Sequence, residues 1–446
     1  MATASPTRTA APAADATSAR VVIVGTGFAG LGMAARLKRA GMDDFVILER
    51  ADDVGGTWRD NTYPGCACDV PSVLYSFSFA PNPEWSNTYS PQPEIWAYLR
   101  TVAQDEGLLP HIRFGRTVEG ARWDDERRTW VVETTQGTYE GQVLVAGLGP
   151  LSEPSVPDID GIDSFGGKIV HSARWDNDYD FTGKRVAVIG TGASAIQLVP
   201  EVAKVAAHVD VYQRTAPWIV PRTERAYRPA ENWAFKHVPG VQKVMRAAVY
   251  GLNEVTALGL TYAPNALKPV ELACRTNISK AITDPELKDK VTPKFAVGCK
   301  RILRSNNWYP TLARPNVDLI TDGISKITGS SVVSNDGTER EVDVIVVATG
   351  FHVTDSPVFE AIVGADGRSL AQVWAGTGMQ GYKGTFIHGF PNLALMVGPS
   401  TGLGHTSMVY MIESQLNYLV DYLKQVREKV SAPISWGRSE ERRVGK

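Results

Sequence analysis

A chain of 446 residues exceeds what one ordinary core fills, so two or three domains are expected. Hydrophobic residues at 43% and charged residues at 21% are those of an ordinary globular protein. With 46 basic against 48 acidic residues and a net charge of -2, nothing points to nucleic acid, and no charge block marks a membrane-surface patch.

The first twenty residues, rich in Ala, Thr, Ser and Pro, lack the continuous apolar stretch of a signal peptide, and residues 1–19 read as a disordered tail. No run of about 18 apolar residues occurs, so no membrane span is expected. Four cysteines (Cys66, Cys68, Cys274, Cys299) are too few to staple such a chain and fit a reducing cytoplasm. Cys66 and Cys68 form a lone C-x-C with no second pair at zinc-finger spacing, and no metal is expected.

The first ordered run, Val21 to Val24, reads as a buried strand. It leads into Gly25-Thr26-Gly27-Phe28-Ala29-Gly30 and a helical stretch, and a second strand, Phe45 to Leu48, ends at Glu49. This is the βαβ dinucleotide fingerprint. Glycines allow the tight turn and a close approach to pyrophosphate, the helix N-terminus attracts phosphate, and the acid accepts from a ribose hydroxyl. A further strand, Val143 to Gly149, ends in small residues that let backbone cross close to a cofactor.

The pattern recurs. Val186 to Ile189 precedes Gly190-Thr191-Gly192-Ala193-Ser194-Ala195, a helix through Ala206, and a strand from Val209 to Tyr212 ending at Gln213-Arg214. Glu49 lies 19 residues after Gly30, and Arg214 lies 19 residues after Ala195. One position therefore carries an acid in the first unit and a guanidinium in the second. An acid suits a free 2′-hydroxyl and an Arg suits a 2′-phosphate, so FAD and NADPH are the ligands that fit both signs. Val342 to Ala348 is a returning strand that ends in Thr349-Gly350.

Residues 223–294 carry helical periodicity. Val241, Val244, Met245, Ala248, Leu252 and Val255 share one face, as do Val270, Cys274, Ile278 and Ala281, and core packing accounts for most of them. Gly398-Pro399-Ser400-Thr401-Gly402 reads G-x-S-x-G, but a hydrolase triad needs an acid and then a His further along. His405 is the last histidine and no acid separates it from Ser400, so the hydrolase reading fails. A flavin disulfide reductase fails too, because Cys66 and Cys68 are too close for a C-x-x-C dithiol.

The run Phe165-Gly166-Gly167-Lys168-Ile169-Val170-His171-Ser172-Ala173-Arg174-Trp175-Asp176 matches F-x-G-x-x-x-H-x-x-x-W-[P/D]. Together with Gly55-Gly56-Thr57-Trp58, Tyr63-Pro64-Gly65 followed by Asp69, Gly298-Cys299-Lys300-Arg301, and Gly398 through Ser407, it resembles the type I Baeyer–Villiger monooxygenases, from about residue 20 to about residue 430. Related N- and S-oxygenating flavin monooxygenases carry Tyr or Phe where Trp175 stands.

The resemblance implies an α/β fold of two Rossmann-like domains with a helical insertion. FAD is assigned to residues 20–150 and 350–430, NADPH to 151–222 and 295–349, and the insertion to 223–294. Cofactor contacts fall to Gly25, Gly27, Gly30, Glu49, Thr57, Trp58 and Asp69 for FAD. Gly190, Gly192, Ser194, Arg214, Thr215, Lys300 and Gly350 complete the binding set, with Lys300, Arg214 and Thr215 on the NADPH phosphate. Arg301 beside the flavin and Asp69 hydrogen-bonded to it form the catalytic pair, and His171 couples domain movement.

The implied activity is NADPH- and O₂-dependent insertion of oxygen next to a ketone carbonyl, through a C4a-peroxyflavin, to give esters or lactones, with sulfoxidation alongside. The chemistry asks for such residues. A fixed cation stabilises the peroxide anion without reorganisation, arginine cannot lose its proton, and a carboxylate can hold the guanidinium. The alternatives are an N- or S-hydroxylating flavin monooxygenase and a cofactor-binding form without turnover. The latter arises because relatives continue beyond the helix around Met411 to Val426, whereas here GRSEERRVGK bears no relation to what precedes it. Residues 431–446 therefore read as a truncated or non-native tail.

Overall fold

The computed structural model describes residues 17–262 and 264–429. Two five-stranded parallel sheets organise it. In the first, the spatial order is Leu393–Leu395, Val143–Ala146, Val21–Val24, Phe45–Leu48 and Ile112–Arg113. In the second, it is Val317–Ile320, His208–Tyr212, Arg185–Ile189, Val344–Val347 and Lys168–His171. The sequences VVIV, FVIL and VLVA are β-branched or large and nearly uninterrupted, as expected of strands covered on both faces.

The sheets repeat one plan. Each begins with a central strand and a crossover helix, Phe28–Arg39 in the first and Ala195–Val202 in the second. Each takes a returning strand, Val143–Ala146 or Val344–Val347, on the other side of that central strand. The second crossover helix stops at Val202, short of the expected Ala206, because residues 203–206 turn back toward the strand that opens at His208.

An antiparallel layer covers one face of each sheet. On the first it is the meander Val118–Asp124, Thr129–Thr134 and Gly137–Gly141, whose Trp123, Trp130 and Tyr139 pack against Val22, Val46 and Leu144. On the second it is Ile324–Ile327, Ser331–Ser334 and Glu339–Glu341, with Ile327 and Val332 against Ile189 and Val347. Opposite the first meander, helix Met408–Lys429 lies along Phe28–Arg39, and a Cβ on Gly32 would stand 2.8 Å from Leu416.

The expected tail 1–19 needs correction at its end. Thr17–Ser18 pair in parallel with Tyr139–Glu140 and extend the meander, because its edge offers free backbone groups. Residues 1–16 of that tail and the tail 431–446 lie outside the described residues. The insertion is helical, with Pro229–His237, Val241–Thr261, Lys268–Ala281 and Pro285–Val291. Cys274 and Ile278 are buried as expected, but the apolar face of Val241–Thr261 is not core, since Val244 and Leu252 are each 70% exposed. Among the described residues, no helix is long and apolar enough to cross a membrane.

Candidate functional site

Both fingerprint turns are built by a close backbone crossing. Gly25 has φ 92°, and a Cβ there would lie 2.6 Å from the Gly147 carbonyl oxygen. Gly190 has φ 113°, and its Cβ would lie 2.5 Å from the Ala348 oxygen. Gly27 differs. Its backbone is ordinary, and a Cβ would find nothing nearer than Gly56 Cα at 3.8 Å, so open space stands before helix Phe28–Arg39. No side chain caps that helix or Ala195–Val202, where Gly192 also faces open space. Uncapped first-turn N–H groups above an open cradle fit a pyrophosphate in each unit.

Glu49 is buried at the end of its strand. Its carboxylate accepts from Thr26 N (2.9 Å) and Thr26 Oγ1 (2.5 Å), from Ala51 N (3.0 Å) and from Arg59 Nη1 (2.9 Å). Burial pushes this carboxyl up, but Arg59 and the Thr26 and Ala51 donors outweigh it and hold it below the usual range. A ribose hydroxyl has to share or displace one of these four donors. Arg59, which also donates to the Asp53 carbonyl, was not singled out from the sequence. Thr57 opens the short helix Thr57–Asp60, and Trp58 donates its indole N–H to the Tyr75 hydroxyl at 3.1 Å.

In the second unit, Arg214 and Thr215 follow strand His208–Tyr212 and are exposed. Arg214 makes no hydrogen bond or ion pair within the described residues, while the Thr215 carbonyl accepts from Thr191 Oγ1 at 3.2 Å. Lys300 Nζ stands 5.1 Å over the Phe295 ring. The next residue, Arg301, donates from Nη2 to Asp69 Oδ2 at 2.6 Å, joining positions 232 residues apart. The guanidinium is half exposed, so the pair faces accessible space.

Two residues that sequence reasoning missed hold the Asp69 loop from the second unit. Gln197 accepts from the Tyr63 hydroxyl (2.9 Å) and donates to the Ala67 carbonyl (3.0 Å). Arg222 donates to the Cys68 carbonyl (3.1 Å) and lies 5.1 Å over the Tyr89 ring. Neither carries a local signal, because each acts on a segment more than 100 residues away.

His171 ends strand Lys168–His171 and accepts the Ala173 N–H on Nδ1 at 3.0 Å, while its buried Nε2 is unbonded. Burial pushes its pKa down, which keeps the ring neutral. Trp175 stacks on Phe181 at 5.0 Å. Burial lifts the Cys66 thiol to about 12 and raises Cys68 as well, so neither is poised as a redox thiolate. His405 faces Glu254 at 3.3 Å, and no hydrogen bond joins it to Ser400. A cleft of about 400 Å³ between loop 73–81 and helix Val241–Thr261 is lined by Phe77, Arg246, Tyr250 and Tyr410, and none of the site residues above lines it.

A family model described as pyridine nucleotide-disulphide oxidoreductase matches residues 22–256. A Baeyer-Villiger monooxygenase of Streptomyces coelicolor is 54% identical over 407 residues, covering 91% of this chain and 78% of that protein. Another, of Pseudomonas aeruginosa, is 48% identical over 428 residues, covering 94% and 81%. The structure of cyclohexanone monooxygenase from Rhodococcus sp. Phi1 bound to NADP+ superimposes with a TM-score of 0.83 at 28% identity, covering 93% of this chain and 85% of that one. Oxidized steroid monooxygenase bound to NADP superimposes with a TM-score of 0.81 at 34% identity, covering 95% and 88%.

Proposed function

Because the chain belongs to the Baeyer–Villiger monooxygenases and is an FAD-dependent, NADPH-using monooxygenase, we propose that its substrates are ketones, converted to esters or lactones, with sulfides as secondary substrates. The observation that carries this reading is the 2.6 Å contact of Arg301 with Asp69, a permanent cation held by a carboxylate beside the junction of the two units.

The first unit, residues 20–150 and 350–430, takes FAD. Gly25, Gly27 and Gly30 shape the turn over which the first-turn N–H groups hold pyrophosphate, Glu49 takes the ribose, and Thr57 and Trp58 border the ring. The second unit, residues 151–222 and 295–349, takes NADPH on the turn Gly190, Gly192 and Ser194. Arg214, Thr215 and Lys300 reach its 2′-phosphate, and Gly350 lets the returning backbone pass. Bound FAD supplies the redox and oxygen-activating chemistry. Arg301 contributes positive charge where negative charge develops, and Asp69 already holds one nitrogen of its guanidinium. Gln197 and Arg222 keep Asp69 in place from the second unit, and His171 transmits movement between the units. The four free thiols, three of them buried, support a cytoplasmic setting.

The test is incubation of the purified yellow protein with NADPH, O₂ and a panel of ketones, amines and sulfides, with products identified by mass. Esters or lactones one oxygen heavier than the ketone are expected. Hydroxylamines or sulfoxides alone would favour the N- or S-hydroxylating class, and cofactor binding without NADPH consumption would overturn the enzymatic reading.

A further inference from the structure

Strand His208–Tyr212 alternates its side chains, so His208, Asp210 and Tyr212 share a face. In parallel register, Asp210 lies beside Asp318 of Val317–Ile320. Neighbouring strands run about 4.8 Å apart, so two carboxylates stand side by side, which destabilises a sheet unless a cation intervenes. Asp210 is only 5% exposed, and its Oδ1 has no hydrogen-bond partner. His208 Nε2 points between the two acids, 3.5 Å from Asp210 Oδ1 and 3.3 Å from Asp318 Oδ2. Arg340 Nε approaches Asp210 Oδ1 only to 3.7 Å, beyond hydrogen-bond reach. One guanidinium against two carboxylates leaves a negative charge uncompensated when the imidazole is neutral.

We propose that His208, Asp210 and Asp318 bind one divalent transition-metal ion of the zinc class. Tetrahedral zinc with bonds of about 2.0–2.2 Å sets its ligand atoms roughly 3.4 Å apart. The two distances from His208 Nε2 match that edge, and the three ligand atoms all lie within 4.8 Å of one another. An imidazole with two carboxylates suits zinc better than magnesium or calcium, which take oxygen ligands. Asp210 forms the buried floor. His208 and Asp318, with side chains 35% and 60% exposed, leave an entry path and a fourth position for water. The site sits where the strand begins, whereas Arg214 lies past its other end, so the ion clamps two strands of the second sheet and takes no part in turnover.

The experiment uses tag-free, FAD-loaded protein, stripped by chelator and equilibrated with zinc, with bound metal measured by atomic spectroscopy and stability by thermal unfolding. One zinc per chain and a raised Tm are expected, because the ion binds only the folded state. His208→Gln and Asp318→Asn, both solvent-facing and checked for flavin content, each weaken zinc by about tenfold or more, the loss that changes to supporting residues alone cause. The Tm rise disappears with it. Failure to take up zinc, uptake unchanged in both variants, or equal uptake of magnesium would each overturn the assignment.

Discussion

Gly25 and Gly190 stand in the same relation to the strand that returns beside them. A Cβ on the first would meet the Gly147 oxygen at 2.6 Å, and one on the second would meet the Ala348 oxygen at 2.5 Å. Both have positive φ, so Ala at either position adds strain of about 1–3 kcal/mol to a clash with backbone. Gly27 shares neither problem. We expect Gly25→Ala to lower Tm or to fail to fold. Gly27→Val should fold near the Tm of FAD-stripped wild type but purify colourless, its side chain filling the cradle. Isolation of Gly27→Val with stoichiometric FAD would remove the first turn as the FAD seat.

Arg214 is exposed and without a hydrogen-bond or ion-pair partner within the described residues, as a residue reserved for a ligand phosphate should be. A hydrogen bond to a charged group contributes roughly 1.5–3 kcal/mol, and about 1.4 kcal/mol is tenfold in affinity. Arg214→Ala should therefore weaken NADPH by about 10- to 100-fold and leave NADH unchanged. Equal loss for both nucleotides, measured by titration, would show that Arg214 does not read the 2′-phosphate.

Arg246 ties the insertion to the first unit. Nη1 donates to the carbonyls of Val73, Leu74 and Ser76, and Nη2 to Glu413 Oε2 at 2.8 Å, with both side chains largely buried. Breaking a buried pair by removing one partner costs roughly 3–5 kcal/mol. Arg246→Met should lower stability by about that amount in denaturant unfolding. Glu413→Gln, which keeps one neutral acceptor oxygen for either Arg246 or Ser78 but not for both, should cost less. A neutral Arg246→Met would mean that the insertion is held by other contacts.

His171 is harder to protonate in the folded chain than in the unfolded one, where imidazole titrates near about 6.5. The unfolded state takes the proton first, so the stability contributed by neutral His171 is complete above that pH and drains as pH falls below it. His171→Asn keeps an acceptor for the Ala173 N–H but cannot charge. Between about pH 7.5 and 5.5 its Tm should fall less than that of the wild type. An identical fall in both would place the titration at another group.

The strands Val21–Val24 and Phe45–Leu48 were legible to the residue, since parallel strands covered on both faces leave unbroken apolar runs bounded by glycine or charge. The meander over the first sheet was not. Its strands mix polar and apolar residues in a short-range alternation that carries no fingerprint, and Thr17–Ser18 join it only because an edge is free. The face of Val241–Thr261 illustrates another limit: periodicity reveals that a helix is amphipathic, not what its apolar side meets, and here Val244 and Leu252 meet solvent. Arg59 on Glu49, and Gln197 and Arg222 on the Asp69 loop, depend on contacts that no local pattern encodes. The meeting of Asp69 with Arg301 came from the family resemblance, because 232 residues separate them.

Substitution of Arg301 tests oxygenation against mere flavin binding. The residues proposed to hold the FAD pyrophosphate and ribose lie on the first turn and at Glu49, so Arg301→Ala should still purify yellow. NADPH should still reduce it, more slowly, because the cation also stands next to Lys300, which is proposed to hold the nicotinamide nucleotide. The variant should lose ester formation, with any remaining O₂ consumption ending as hydrogen peroxide. Arg301→Lys should rescue poorly, since an ammonium is a point charge without the planar, multi-donor guanidinium that Asp69 holds through Nη2 at 2.6 Å. Asp69→Asn separates charge from geometry: the acceptor persists, the guanidinium stays near its place, and activity should fall less than in Arg301→Ala. The measurement is ester formed per NADPH oxidised in the wild type and all three variants, with FAD occupancy read from the visible spectrum. Full ester yield in Arg301→Ala would take the guanidinium out of the mechanism. A yield lost in Asp69→Asn as completely as in Arg301→Ala would make the carboxylate's charge, and not its hold on the guanidinium, the feature that matters.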